Sequence, residues 1–297
     1  MKSNKRQQRM IRLILFAIIL MAAVFLTIYY IESGRTEPAL STDNQSELSV
    51  LFIDVGQADS VLIYLSTGET MLIDAGESSE ADAIREELDE RRITDIDILV
   101  ATHPHADHIG GMCTLIEHYD IGQVLMPDMG AKSAVYRNLM DAISSRGIPV
   151  TEAYAGYEFS LGSARCIVVS PDADADKDAN NESVVIFLDF YDSEFLFTGD
   201  MEKWAENELL DAQYYIDADV LKVAHHGSST GSSQAFLDVV TPEYAVISCG
   251  RDNKYGHPHQ ETLERLIAAG AEIYRTDEAG DILFLSDGKT LTVQTGD

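Results

Sequence analysis

Residues 102–111 read THPHADHIGG and place four potential metal ligands within six positions. The four are His103, His105, Asp107 and His108. The apolar run 96–101 ends directly before them, which predicts a buried strand that delivers the group to a loop and the start of a helix at 109–119. Imidazole and carboxylate together suit zinc, and they suit manganese or iron in a site with more oxygen ligands. A polar loop whose histidines only satisfy one another is the alternative.

Two later segments repeat the pattern of an apolar strand that ends at a possible ligand. FLFTGD (195–200) ends at Asp200, and DVLKVAHHGS (219–228) leads through a strand at 220–224 to His225 and His226. Three strand ends thus deliver His and Asp side chains, which is a common position for the site of a sheet-based enzyme. Strand alternation does not decide between the two adjacent histidines.

Short β segments and helices alternate over residues 48–297, and this mixture predicts one layered α/β or α+β domain. The first 12 residues carry five basic and no acidic side chains, and 13–31 is an uncharged apolar run long enough to cross a bilayer as a helix. We predict a cytoplasmic basic segment at 1–12, a membrane anchor at 13–31 and a polar linker at 32–47, with the domain outside the cytoplasm. A cleaved signal peptide and a secreted domain are the alternative.

The whole chain has a net charge of −29, and the part after residue 12 holds 16 basic and 50 acidic residues. Such a negative field repels nucleic acid at long range. A polyanionic substrate would therefore need positive charge at the site itself, from metal ions or a few placed Lys and Arg side chains.

The motifs together resemble the metallo-β-lactamase superfamily, and within it the hydrolase domain of the competence DNA-uptake proteins (ComEC family). The segments that carry the resemblance, besides those quoted above, are FIDVGQADSVLI (52–63), LIDAG (72–76), NNESVVI (180–186) and ISCGRDNKYGHP (247–258). The resemblance covers residues from about 48 to the C-terminus. It implies an αββα four-layer sandwich with the metals at one edge, and two divalent ions, Zn²⁺ or alternatively Mn²⁺.

Carried over residue by residue, the resemblance implies a role for each ligand. His103 and His105 would hold the first metal, Asp107 and His108 the second, and Asp200 would bridge the two. We take His225 as the ligand that completes the second site, and His226 as a substrate contact or proton donor. Asp74 of LIDAG, and by analogy Asp54, would be carboxylates that steer a ligand imidazole. A turn-capping aspartate is the alternative for both.

The remaining site predictions concern catalysis and substrate contact. The predicted catalytic residues are Asp107, His226 and Lys222, the last because it precedes the two histidines by three positions. The predicted substrate contacts are Asn181, Gly227, Ser228, Asn253, Tyr255 and His257. Gly227 and Ser228 could instead only open the next helix, and the Gly-rich loop with Asn253 could only make a turn.

The loop PDADADKDANNES (171–183) is where many members of the superfamily supply a third histidine to the first metal. Between His108 and Asp200 the only histidine is His118, within the predicted helix, so Asn181 is our candidate to lie near the first metal. A calcium loop is excluded, because counting from Asp172 position six is Lys177 rather than Gly and position twelve is Ser183 rather than Glu.

The sequence therefore predicts a membrane-anchored, extracytoplasmic hydrolase with two metal ions. The resemblance suggests phosphodiesters as substrates, with nucleic acid as one class among them, although the acidic surface favours a smaller ester. An amide or lactone hydrolase and a non-catalytic cell-surface binding domain are the alternatives. The membrane would be reached through the N-terminal helix, and no obligate protein partner is inferred.

Overall fold

Two β-sheets with helices on their outer faces form the part of the chain that this computed structural model describes, namely residues 47–128, 130, 133–172 and 178–296. The strands are, in chain order, β1 (Leu48–Phe52), β2 (Val61–Leu65), β3 (Thr70–Ile73), β4 (Asp95–Val100), β5 (Asp120–Met126), β6 (Val150–Glu152), β7 (Glu158–Leu161), β8 (Ala164–Ser170), β9 (Val185–Phe190), β10 (Ser193–Phe197), β11 (Val220–Lys222), β12 (Tyr244–Ile247), β13 (Glu272–Arg275), β14 (Ile282–Ser286) and β15 (Leu291–Thr295).

The helices of the described residues lie between these strands. They are α1 (Ala81–Glu90), α2 (Ala106–Ile109), α3 (Met112–His118), α4 (Ala134–Arg146), α5 (Lys203–Ala212), α6 (Gln234–Val240), α7 (Gln260–Ala269) and α8 (Thr276–Ala279), with a 3₁₀ turn at Ala224–Gly227. Ser133 and Ser233 cap α4 and α6 with their hydroxyls, which accept from the backbone N–H three residues on.

The order of the strands is β15-β14-β1-β2-β3-β4-β5-β6 in the first sheet and β13-β12-β11-β10-β9-β8-β7 in the second. In the first sheet β3, β4, β5 and β6 run parallel, and in the second β10, β11, β12 and β13 do. The carboxyl ends of parallel strands meet at one edge of their sheet, so side chains that follow these strands come together.

Three apolar clusters fill the spaces between the layers. Alternate residues of β1, such as Phe52, pack between the sheets with Phe197 and Phe284. Leu51 faces the other way, towards Ile84 of α1 and the neighbouring helices, and a third cluster lies between the second sheet and helices α5, α6 and α7. The layers are therefore helix, sheet, sheet and helix, and the predicted α/β fold with two sheets is confirmed.

The predicted N-terminal segments 1–12 and 13–31, and the linker 32–47 except its last residue, lie outside the described residues. Within the described part of the chain, every helix is too short or too polar to cross a membrane.

Candidate metal centre

The loop after β4 is held in place by the turn after β3. The backbone N–H of Ala75 donates to the His108 carbonyl at 2.7 Å, and the N–H of Gly111 donates to the Gly76 carbonyl at 3.2 Å. A Cβ on Gly111 would lie 2.2 Å from the Ala75 carbonyl oxygen, so only glycine allows the approach. The short helix α2 therefore ends at Ile109, just before the chain contacts the turn at Ala75 and Gly76.

Asp200 follows β10 and is 2% exposed. Its Oδ1 lies 3.3 Å from His108 Nε2 and 3.8 Å from His226 Nε2, and His226 Nε2 is 3.5 Å from Asp107 Oδ2. Asp200 Oδ1, His108 Nε2 and His226 Nε2 are buried and have no hydrogen-bond partner among the described residues. Buried polar atoms are normally satisfied, so three such atoms facing one another fit a cation.

The other oxygen of Asp200 faces a different set of imidazoles. Asp200 Oδ2 lies 3.8 Å from His103 Nε2 and 3.7 Å from His225 Nε2. His103 Nε2 is in turn 2.9 Å from His105 Nδ1. This set is the wider one, since neither His105 nor His225 belongs to a group whose ligand atoms all lie within 4.8 Å of one another. One carboxylate thus stands between two sets of ligand atoms, as a bridge between two metals would.

The charges around the centre favour a cation. Burial opposes the charged form of His226, but the carboxylates of Asp200 and Asp59 outweigh it and raise the pKa of His226 to about 10. Burial likewise opposes the ionised form of Asp200, yet the neighbouring imidazoles of His108 and His226 hold its pKa well below the usual range. The cluster therefore attracts positive charge, which protons supply in the absence of a metal.

Asp74 orients two of the imidazoles at once. Its Oδ2 accepts from His108 Nδ1 at 2.7 Å and from Thr102 Oγ1 at 2.7 Å, while its Oδ1 accepts from the Thr102 backbone N–H at 2.9 Å. Because the Thr102 hydroxyl donates to Asp74, it accepts from His103 Nδ1, 3.2 Å away. With a metal bound, His103 and His108 would keep a proton on Nδ1 and would present Nε2 as the ligand atom.

Replacing Asp74 by Asn should weaken metal binding by about 10–100-fold, because both Nε2 acceptors lose the partner that fixes their tautomer. Competition with a chelating dye measures this affinity. Asp54→Asn is the matched control, since the Asp54 side chain lies on an exposed turn, where it accepts from the Gly56 N–H at 3.2 Å. An equal loss in both variants would contradict the role given to Asp74.

The carboxylate beneath His226 is Asp59, which the sequence analysis did not identify. Asp59 Oδ1 lies 3.3 Å from His226 Nδ1, and Asp59 Oδ2 lies 2.5 Å from Lys222 Nζ. Burial raises the pKa of Asp59, but the Lys222 ammonium and His226 outweigh it and hold the pKa far below the usual range. Asp59 lies in the segment FIDVGQADSVLI, the same segment in which the motifs predict Asp54 as a carboxylate that steers a ligand imidazole.

The prediction of Lys222 as a catalytic residue needs correction. Lys222 is the last residue of β11 and only 2% exposed, and its ammonium is paired with Asp59 beneath the histidines. It is not among the residues that line the cleft, where a group that contacts a substrate would have to lie, and its place is beside Asp59, below the histidines.

The two adjacent histidines both face the centre because the backbone turns left-handed at each of them. His225 has φ 51° and His226 has φ 54°, a conformation that costs about 1–3 kcal/mol for a non-glycine residue. His226 Nδ1 donates to the Ser248 carbonyl at 3.0 Å, which leaves Nε2 free for the set with Asp107 and His108. The geometry thus brings Nε2 of His226, rather than Nε2 of the predicted His225, close to Asp107 and His108.

A cleft of about 590 Å³ opens above the centre. Its lining residues are Gln57, Glu77, His105, Ala106, Asp107, Asp200, His225, His226, Asn253, Lys254, Tyr255 and His257. Three of the predicted substrate contacts, Asn253, Tyr255 and His257, therefore line this cleft. The Nδ2 and Oδ1 atoms of Asn253, however, already form hydrogen bonds with the backbone of its own loop. Gln57, Glu77 and Lys254 were not predicted, although Gln57 and Lys254 stand within the quoted motifs.

His257 forms one wall of the cleft as a neutral imidazole. Its burial and the neighbouring His226 and His225 lower its pKa to about 4. Its Nδ1 lies 3.4 Å from Gln57 Nε2, and Gln57 Oε1 accepts from the Gly250 N–H at 3.1 Å. The loop after β1 thereby fixes the loop after β12.

Three predicted substrate contacts lie away from the cleft. Asn181 Oδ1 accepts from the backbone N–H of Ala205 at 3.4 Å, because the amide satisfies the first turn of α5. Gly227 packs so closely on Pro258 that a Cβ would lie 2.6 Å from the proline ring. Ser228 is buried, with its hydroxyl 3.0 Å from Thr230 Oγ1. Asp54 likewise does not contact the centre, and its turn-capping alternative fits.

Comparison with protein families gives one match, over residues 53–132, to the family described as the metallo-beta-lactamase superfamily. The segment holds the loop after β4 with its His and Asp side chains. The resemblance predicted from the motifs is thereby confirmed.

Curated relatives extend the likeness over most of the chain. ComE operon protein 3 of Bacillus subtilis is 29% identical over 83% of this chain and 34% of its own length. Recombination protein 2 of Haemophilus influenzae is 30% identical over 77% of this chain and 28% of its own length. The chain thus spans about a third of these relatives. Among solved structures, the CmlA beta-hydroxylase E377D mutant aligns with a TM-score of 0.50 and 16% identity, over 77% of this chain and 52% of that one, which shows the fold alone.

Proposed function

Because this chain carries a metallo-β-lactamase superfamily domain, we propose that it is a hydrolase with two metal ions that cleaves phosphodiesters. The position of Asp200 carries the proposal. Its two oxygens face two different sets of imidazoles, and three buried atoms around Oδ1 have no other partner in the described residues.

The residues of the centre fit two divalent ions, which together would lower the pKa of a water and neutralise charge on a phosphoryl oxygen. His103 and His105 would hold the first ion, Asp107, His108 and His226 the second, and Asp200 both. Asp74 and Asp59 orient the imidazoles from behind. With the metals in these places, hydrolysis needs no nucleophilic side chain of the protein.

The rim of the cleft supports a diester with one organic group beyond the phosphate. Lys254 and Tyr255 stand on the loop after β12, with Lys254 Nζ 4.9 Å from the centre of the Tyr255 ring, and the tyrosine is 53% exposed. A cation beside a half-exposed aromatic ring, which also stacks on His257, suits an anion attached to a flat or apolar group.

The charge of the molecule favours a small substrate over long nucleic acid. Among the lining residues Lys254 is the one Lys or Arg, against Glu77, Asp107 and Asp200. The chain as a whole has a net charge of −29. Phosphate contacts from Lys and Arg dominate nucleic-acid affinity, and few are available here. A short phosphodiester, such as a nucleotide or phosphocholine ester, therefore fits better than duplex DNA.

We also propose that residues 13–31 anchor the domain at the outer face of a membrane. The proposal rests on the five basic residues before an uncharged apolar run of 19 residues.

A substrate panel tests the proposed activity. The purified chain is assayed on bis(p-nitrophenyl) phosphate, single-stranded DNA, a chromogenic cephalosporin and an acyl lactone. We expect the phosphodiester to give the highest kcat/KM and the cephalosporin to give no turnover. Faster hydrolysis of the lactone or the cephalosporin than of every phosphodiester would contradict the proposed substrate class.

A further inference from the structure

The first set of ligand atoms lacks a third imidazole from the loop before β9. Asn181 binds the backbone of α5, and Asn180 Nδ2 donates to Glu202 Oε1 at 3.2 Å. His118, the one histidine between residues 108 and 200, lies on α3 with its Nδ1 donating to the Thr114 carbonyl at 2.7 Å. The described part of this segment therefore places no histidine at the centre.

His225, which follows β11, and His103, which follows β4, face the same oxygen of Asp200. The Nε2 of His225 lies 3.7 Å from Asp200 Oδ2, the oxygen that His103 Nε2 approaches to 3.8 Å. These distances are too long for hydrogen bonds. Two ligands about 2.1 Å from one tetrahedral ion lie about 3.4 Å apart, which is close to the observed spacing.

The other nitrogen of His225 is anchored as in a metal-binding histidine. His225 Nδ1 lies 3.2 Å from Glu202 Oε1 and 3.1 Å from Thr230 Oγ1. A carboxylate oxygen can only accept, so Nδ1 donates to it and Nε2 is the nitrogen that faces the centre. Asn180 donates to the same Glu202 oxygen and holds the carboxylate in place.

The backbone at this turn is strained in a way that serves both imidazoles. His225 and His226 are both left-handed, and with this backbone the two adjacent residues present Nε2 to the two oxygens of one carboxylate. Strain of this kind persists where it has a use.

We propose that His225 binds the first metal through Nε2 and takes the place of the absent third histidine, with Glu202 as its positioning residue. This assignment rests on the two-metal centre proposed above. It gives both adjacent histidines a ligand role, one on each metal. The ligand atoms of the first site must move closer together when an ion binds, because His225 belongs to no group whose ligand atoms all lie within 4.8 Å of one another.

Cobalt binding to the metal-free full chain tests the assignment without reference to activity. We expect the parent to bind two equivalents of Co²⁺, and His225→Ala to lose affinity at one site by at least about tenfold while the second site stays occupied. The visible absorption of the weakened site should change, since a nitrogen ligand is lost. Glu202→Gln should give a smaller loss at the same site.

His118→Ala is the control, because His118 is an exposed histidine of α3 that donates to the Thr114 carbonyl and does not line the cleft. We expect it to bind two equivalents with the affinity of the parent. If His225→Ala also keeps two equivalents with the parental affinity and spectrum, His225 is not a ligand and the inference is wrong. If the parent itself binds fewer than two equivalents, the proposed metal centre fails.

Discussion

Replacing Asp200 by Asn should reduce phosphodiesterase activity by about 10³-fold and release at least one of the two metals. The carboxylate is the one group that faces both sets of ligand atoms, and an amide presents only one acceptor oxygen to them. The positioning of two metals contributes several kcal/mol to a transition state, and each 1.4 kcal/mol is about a factor of ten in rate. Steady-state kinetics and metal analysis of the same preparation measure both effects.

Asp141→Asn is the charge-matched control for this variant, because Asp141 lies on an exposed position of α4. It should keep the parental metal content and rate. An Asp200→Asn protein that keeps two metals and more than a tenth of the parental kcat/KM would contradict the bridging position of this carboxylate.

The second large effect concerns the buried pair of Asp59 and Lys222. Asp59→Asn should lower the free energy of unfolding of the metal-free protein by about 3–5 kcal/mol, because the Lys222 ammonium is left buried without its partner. The two side chains are 1% and 2% exposed, so water cannot replace the lost contact. Urea unfolding monitored by circular dichroism measures the loss.

The double variant Asp59→Asn, Lys222→Met measures the energetic coupling between the two side chains of the pair. It removes both charges, so it should be more stable than Asp59→Asn alone, with a coupling energy of about 1 kcal/mol or more. Its metal affinity should stay low, because His226 Nδ1 has still lost a neighbouring carboxylate. Additive losses of stability in the two single variants and the double variant would show that the pair is not coupled.

The sequence predicts those parts of the centre that depend on strand ends. The loop with His103 and His108 and the turn with Asp200 follow parallel strands, and the carboxyl ends of such strands lie at one edge. Within each sheet this places the ligand-type residues at one edge without coordinates, but β4 belongs to the first sheet and β10 and β11 to the second, so the meeting of the two edges is known only from the structure. The mixture of short strands and helices predicts a layered α/β or α+β domain, and the two sheets are implied by the resemblance to the metallo-β-lactamase superfamily.

Other details depend on backbone geometry that no pattern reveals. The predicted strand at 220–224 ends at Lys222, and the left-handed turn at His225 and His226 overrides the alternation expected of a strand. The predicted helix 109–119 is divided at Gly110 and Gly111, because the chain there touches the turn at Ala75.

Long-range pairing explains the remaining differences. Asp59 can be recognised only through its contact with Lys222, which comes from the other sheet and a distant part of the chain. In the loop before β9, Asn180 donates to Glu202, the partner of His225, whereas the predicted Asn181 accepts from the backbone of α5. Adjacent residues of the same type give no signal that separates them.

Titration of the metal-free chain with Zn²⁺ or Mn²⁺, with metal content and bis(p-nitrophenyl) phosphate turnover followed together, tests the central claim most directly. We expect no turnover without metal, little with the first equivalent, and full activity when two ions are bound per chain. Turnover by the metal-free chain, or an inactive chain with two bound ions on every phosphodiester tested, would contradict the account.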